Sequence, residues 1–315
     1  MDDVWNNSGW SDAVATGPPR GPRGFRRPRF LPEEVLIFRR GPFHVAETEQ
    51  GRWIVATRTK YEHGVFSWTT LTTPDPAAAK RFYGGVFGWQ FEDMPAGPEQ
   101  TYTFARLGKE SVAGLSGLTK EMIAQGVPPH WMPFVNVTNA DDVAKKAMQS
   151  GGKVPYPPMD VLTVGRMALL EDPTGAKVAI WQAKEHAGAD RINETGAMCW
   201  DELMTPNTAA AAQFYKATFG WTAEEIEMGG GTTYTMFKVG DKQVGGMMAR
   251  PPRLKDVPPH WLTYFSTPNV DETTKKVTSL GGKVIQPPTD VPNIGRFAVC
   301  QDPQNAVFAL FTPTS

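Results

Sequence analysis

From Phe66 the chain reads F-S-W-T-T-L-T-T, threonines and aromatics in alternation, a pattern that predicts a strand. The next stretch, PDPAAAKRFYGGVFG, changes period: Asp75 stands where an N-cap belongs, Pro76 follows, alanines run on and a glycine closes it. That order predicts a helix, because a side-chain acceptor and a proline suit the amide donors left over at a helix start, while glycine suits a left-handed end. Two strands are predicted next, over about 101–107 and 111–117, split by a turn at Gly108-Lys109. A further strand opens with HWMPF, a second helix capped near Asn139 stops at Gly151-Gly152, and GRMALLEDPTGAKVAIWQ predicts a hairpin around Pro173-Thr174-Gly175. The segment is two βαβββ modules in series.

The same pattern then returns. Trp68 pairs with Trp200, Phe82-Tyr83 with Phe214-Tyr215, Gly88-Trp89 with Gly220-Trp221 and Tyr102 with Tyr234, all at a shift of 132 residues. Further on, His130-Trp131 pairs with His260-Trp261 and Asp172-Pro173 with Asp302-Pro303, at a shift of 130. So long a period excludes a solenoid and gives each copy the size of a domain. The copies are bounded at 64–184 and 197–315, and the small, polar residues 185–196 read as a linker. In the second copy Asn207 replaces Asp75 as the cap, strands fall at about 233–239 and 243–249, and Asn305 replaces Gly175, a swap that suits a left-handed turn position. Phe82 and Phe214 are expected to lie on the sheet as core.

These motifs resemble the vicinal oxygen chelate superfamily, the group of glyoxalase I, extradiol dioxygenases, and fosfomycin- and bleomycin-resistance proteins. The resemblance rests on the D-P-x-x-x-x-x-F-Y-x-x-x-F-G-W helix from Asp75 to Trp89, its looser copy from Asn207 to Trp221, and the D-P-x-G hairpin. It implies an α+β fold in which each copy's paired modules curl their sheet into a cup that holds a small ligand or a metal. The family's metal ligands are commonly a His seven residues before the helix Asp, a residue opening the second module's strand, and a Glu seven residues after the hairpin Asp. Here those positions hold Trp68 and Trp200, Met132 or Pro133 and Leu262 or Thr263, and Ala179 and Ala309. None is a hard-metal ligand, so the sequence predicts no metal and no cofactor.

Side chains two apart on a strand share a face, which groups Trp68 with Thr70, and Trp200 with Glu202 and Met204. If that face is the cup, each Trp either stacks an aromatic ligand or fills the cup as core. Glu202 is the sharper candidate, a catalytic base whose counterpart is Thr70; pairing with Arg296 or facing solvent is its alternative. Tyr102 and Tyr234 offer hydroxyls or strand packing, and Arg166 and Arg296 offer an anion site or a salt bridge. His130 and His260 are expected to hydrogen-bond at a strand entry, while His44, His63 and His186 fall in the tail or linker.

Composition narrows the partners. A net charge of -1 over 315 residues gives no general pull toward nucleic acid or membrane. The start lacks the basic and apolar regions of a signal peptide, and no run is long enough to span a bilayer, so a cytoplasmic location is expected. Residues 1–63 have no counterpart in either copy. They contain TGPPRGPRGFRRPRF, read as a disordered tail, and two short strand-like runs, EEVLIF and GRWIVATRT. Cys199 and Cys300 fall on different predicted strands and are expected to be free thiols. The reading preferred from sequence is a metal-free binder of a small, partly aromatic molecule, with an enzyme using Glu202 as base as the alternative; monomer and homodimer both remain open.

Overall fold

The computed structural model describes residues 58–97, 100–228 and 232–314. The Arg-rich run, His44 and EEVLIF lie outside them, as does GRWIVATRT except for Arg58 and Thr59, which are not in a strand. The first copy runs β1 (Phe66–Thr73), α1 (Pro76–Phe87), β2 (Gln90–Gly97), β3 (Gln100–Leu107), β4 (Glu110–Gly117), a short α2 (Lys120–Ala124), β5 (His130–Asn136), α3 (Ala140–Gln149), β6 (Lys153–Val161), β7 (Gly165–Glu171) and β8 (Lys177–Ala183). The second repeats it with β9 (Met198–Thr205), α4 (Thr208–Phe219), β10 (Thr222–Glu227), β11 (Thr233–Val239), β12 (Lys242–Ala249), a 3-10 turn, β13 (His260–Ser266), α5 (Val270–Ser279), β14 (Lys283–Val291), β15 (Gly295–Gln301) and β16 (Val307–Pro313).

Local chemistry sets the element ends. Asp75, Asn139, Asn207 and Asn269 each accept a backbone N–H three residues on, as caps should. Gly88 and Gly220 close α1 and α4 in the left-handed region, and Asn305 takes a φ of 78° where Gly175 takes 101°.

Each copy forms one eight-stranded sheet, ordered β2-β3-β4-β1-β5-β8-β7-β6 and β10-β11-β12-β9-β13-β16-β15-β14. The modules join where β1 meets β5, and β9 meets β13, antiparallel; within each module the first strand runs parallel to the last. The α+β fold of two tandem cup-shaped sheets follows from this order. One face of each sheet lines a cup. The other enters a single apolar cluster that contains Leu71, Phe82 and Val135 from the first copy and Leu203, Phe214 and Phe265 from the second.

That shared cluster alters the picture of two domains in series. Phe82 lies against Phe308 on the second copy's β16, with ring centres 6.2 Å apart, so it packs on the other copy's sheet. Beside it, Tyr83 donates to Asp302 Oδ2 at 3.0 Å, and Tyr215 donates reciprocally to Asp172 Oδ2 at 3.0 Å. Each hairpin aspartate uses its other oxygen to hold its own turn: Asp172 Oδ1 accepts from Thr174 and Ala176 amides, and Asp302 Oδ1 from those of Gln304 and Ala306. The two sequence motifs are therefore bonded to each other, across the copies. Trp89 Nε1 donates to Gly196 O and Trp221 Nε1 to Gly64 O, closing the same junction at its ends. The described residues all fall within one compact unit.

Residues outside the two copies also join the packing. Tyr61 is buried and donates to Ala189 O, and Asn136 holds the carbonyls of Tyr61 and Glu62, so residues 58–63 belong to the folded unit. The polar linker is packed too, with Ala189 fully buried.

Candidate functional site

In both sheets the strand register sets matching rows across the cup floor. Thr70 sits between Gly114 on β4 and Met132 on β5, and Trp68 lies beside Phe134, which pairs with Ala179. In the second cup Glu202 sits between Gly246 and Leu262, and Trp200 beside Tyr264, which pairs with Ala309. Trp68, Phe134 and Ala179 form one apolar cluster with Met132 against it; Leu262, Tyr264 and Ala309 form the other with Trp200 against it.

The positions where the resemblance implies metal ligands thus do face the cups. They hold an indole N–H, which only donates, a thioether or an isobutyl group, and a methyl group, a set that does not fit a hard divalent ion. Pro133 and Thr263 take the opposite face, where Thr263 donates to the buried Asp201 at 2.6 Å. Among the described residues no three His, Cys, Asp or Glu side chains gather to hold an ion.

What each cup has instead is a tryptophan and a tyrosine joined over a glycine. Trp68 Nε1 donates to Tyr102 Oη at 2.7 Å, and Trp200 Nε1 to Tyr234 Oη at 2.9 Å. Each tyrosine reaches across the neighbouring strand only because that strand carries glycine there. A β-carbon on Gly114 would lie 1.9 Å from Tyr102 Oη, and one on Gly246 1.7 Å from Tyr234 Oη. In the first cup Tyr102 ends on the Thr70 hydroxyl at 2.8 Å. In the second, Tyr264 donates to Glu202 Oε1 at 3.2 Å, and Tyr234 lies beside the same carboxylate.

Glu202 is 8% exposed. Burial pushes its carboxyl above the usual carboxylate range, and the hydroxyls of Tyr234 and Tyr264 pull the other way. Both phenols are pushed well up by burial and by the adjacent carboxylate, so they stay protonated as donors. The site is a buried carboxyl bonded by Tyr264 and flanked by Tyr234, with Trp200, Met204 and Met248 half-buried around it. Such a group can take a hydrogen bond or a proton from a ligand in the cup.

The sequence candidates divide cleanly. Trp68, Thr70 and Tyr102 meet in the first cup, and Trp200, Glu202 and Tyr234 in the second, with Met204 on the same face. Arg166 and Arg296 are a correction, because neither faces a cup. Their neighbours Ala168 and Ala298, two residues on, belong to the shared core, and the arginines reach back to the helices. Arg166 binds Asp141 through two nitrogens, both at 2.8 Å, and Arg296 binds Asp271 and Asp290. Arg296 is therefore not the partner of Glu202. His130 and His260 bond the carbonyls of Pro128 and Pro258 at their strand entries. Cys199 and Cys300 are free, and burial pushes the Cys300 thiol up to about 12.

Sequence reasoning missed Tyr264 and the two glycines. Glycine inside an otherwise regular strand was the available signal, since it marks a close approach. It also missed His186, which enters the first cup.

This fold and these two cups define a member of the glyoxalase, bleomycin resistance protein and dioxygenase superfamily, and the chain belongs to it: the family model matches residues 65–180 and 191–310. Among individual proteins, the chain is 40% identical over 257 residues to "Putative glyoxylase CFP32" of Mycobacterium tuberculosis (strain CDC 1551 / Oshkosh), spanning 81% of this chain and 97% of that one. It is 33% identical over 268 residues to the anthracycline biosynthesis protein DnrV of Streptomyces peucetius, spanning 80% and 94%. The Mn(II)-bound glyoxalase from Novosphingobium aromaticivorans shares the fold at a TM-score of 0.57 and 13% identity, over 79% of this chain and 82% of that one. The 2,3-dioxygenase LapB from Pseudomonas sp. KL28 does so at 0.57 and 14%, over 81% and 94%. Among the described residues no helix is long and apolar enough to cross a membrane.

Proposed function

We propose that the second cup takes up a small, partly aromatic organic molecule without a metal ion, against Trp200 and beside Glu202. The observation that carries this reading is the change of wall between equivalent positions: Thr70 and Phe134 in the first cup become Glu202 and Tyr264 in the second. A carboxylate and a phenol that hydrogen-bonds it arrive together, on the face where a ligand would sit. Trp200 supplies a flat apolar surface and Glu202 an oriented acceptor, the combination a small-molecule site needs. The name of DnrV ties that protein to anthracycline biosynthesis, and anthracyclines are fused aromatic ring systems, which supports an aromatic ligand here. Simple sequestration needs nothing further. On this reading the partner is a small molecule, not a nucleic acid or a membrane.

One observation favours a second reading, an enzyme. Glu202 is buried, its carboxyl is raised, and Tyr234 stands beside it as a donor that can steady developing negative charge. Those are the parts of a general base for isomerase, lyase or hydroxylase chemistry. The test is a screen of planar aromatic ligands by tryptophan fluorescence and thermal shift, on the wild type and Glu202→Gln, with metal content measured alongside. Binding kept and turnover lowered by about 10²–10⁴-fold in the variant supports the base. Binding without turnover in either protein supports sequestration. If nothing binds the second cup, or if the protein carries near one equivalent of metal, the proposal fails.

A further inference from the structure

The segment joining the two copies turns back into the first cup. There the His186 ring stands edge-on to three cup-lining rings: Trp68 at 4.8 Å and 88°, Phe104 at 5.5 Å and 77°, and Trp181 at 6.1 Å and 70°. Its backbone is fixed on both sides. Trp181 Nε1 donates to His186 O at 2.8 Å, and the His186 amide donates to Val164 O at 3.0 Å. Further on, the Ala189 amide donates to Ser67 O, and Asp190 Oδ2 accepts from both the amide and the hydroxyl of Ser111 at 2.7 Å.

Three aromatic edges and faces around one imidazole make a built site for a ring. Nε2 of His186 is buried with no hydrogen-bond partner, so the ring is held by shape and aromatic contact rather than by polar bonds. The consequence shows on the indoles: Trp68 is 5% exposed, whereas its counterpart Trp200 is half-buried. The positions equivalent to Phe104 and Trp181 are Met236 and Phe311, and no ring of the described residues stands over Trp200 as His186 stands over Trp68.

We infer that the first cup is a binding site for a small, flat aromatic ring of imidazole size, occupied in this chain by its own His186. It is not a cup that has lost its site; it is one that is filled from within. The inference concerns the first cup alone and stands whatever the second cup binds.

Removing the ring while keeping the tethered backbone should open the site to a free ring. In the full chain, His186→Gly is expected to lower Tm, and added imidazole to raise it again in a saturable way, with half-saturation on the order of 1–10 mM for so small a ligand. Wild-type Tm should not respond, because the site is full. His186→Gly/Trp68→Leu should lose the rescue, which places the ring on Trp68. His186→Phe, which keeps a ring but no nitrogen, should stay near the wild-type Tm. If the glycine variant does not fold, the imidazole titration is made on His186→Ala. Equal response of wild type and variant to imidazole, or none in whichever variant folds, overturns the inference.

Discussion

The two cups of this chain share a backbone, a register and a Trp–Tyr–Gly frame, yet they are lined differently. In the first, Thr70 ends the tyrosine's hydrogen bond, Phe134 is apolar, and His186 covers the tryptophan. In the second, Glu202 takes that position, Tyr264 donates to it, and Trp200 is left half-buried. The frame is what the fold requires; the contents are what function can change. A hydroxyl and a carboxylate fit the same row because the neighbouring glycine, Gly114 or Gly246, gives the tyrosine room to reach either.

That contrast assumes the two cups stand on a common base, and the base can be broken. Tyr83 links Trp131 to Asp302, and Tyr215 links Trp261 to Asp172, at 2.9–3.0 Å throughout and out of contact with water. Tyr83→Phe leaves a buried indole N–H and a carboxylate oxygen unpaired, at a cost of about 1–3 kcal/mol, and Tyr215→Phe does the same. In the double variant the losses should at least add, and chemical denaturation should still give one transition for both copies, since they share one core. Two separate transitions would mean the cups fold independently.

A smaller effect of opposite sign sits where the copies differ inside that base. Asp201 replaces Thr69 on the core face, is 1% exposed, and has one oxygen bonded to Thr263 and the other without a partner. Burial raises its carboxyl well above the usual range. The folded protein therefore holds this proton more tightly than the unfolded chain does, and stability falls as pH rises from the unfolded carboxylate range, about 3.9, through the folded pKa. Asp201→Thr makes the second copy match the first and should stabilise the protein at pH 7 by about 1–3 kcal/mol. Its advantage over wild type should shrink toward zero below pH 4, as read by urea titrations across pH. An advantage that is absent at pH 7, or unchanged by pH, would show that Asp201 has polar company in solution.

Much of the fold was written in period and punctuation. The strand-to-helix change at Asp75, the capping asparagines and the turn glycines are local signals, and the structure follows them. β2 and β10 were harder to place because QFEDMPAG and TAEEIE are almost wholly exposed and carry no buried face to mark. The pairing of β1 with β5, and of Tyr83 with Asp302, depends on residues far apart in sequence, so neither could be read from spacing. For the sites, alternation alone put Trp200 and Glu202 on one face. The donors that hold Glu202 come from other strands, and His186 comes from a segment whose small, polar composition says linker. Of the two roles open to the arginines, an anion site and a salt bridge, the salt bridge holds: each reaches the first turn of the helix behind the sheet.

The smallest expected effect concerns those arginines. Arg296 is bonded on the helix side to Asp271 and Asp290, and Arg166 to Asp141 with Asp160 at 3.5 Å. All of these acids are substantially solvent-exposed, so salt should weaken the pairs. Arg296→Gln should lower Tm slightly, and less in high salt, but should leave the affinity of any second-cup ligand within about twofold, since the side chain lies behind the sheet. The same substitution at Arg166 should behave alike, because the surroundings repeat. A loss of ligand affinity confined to Arg296→Gln would place that guanidinium's influence inside the second cup, and the difference between the cups would then extend through the sheet as well as across its inner face.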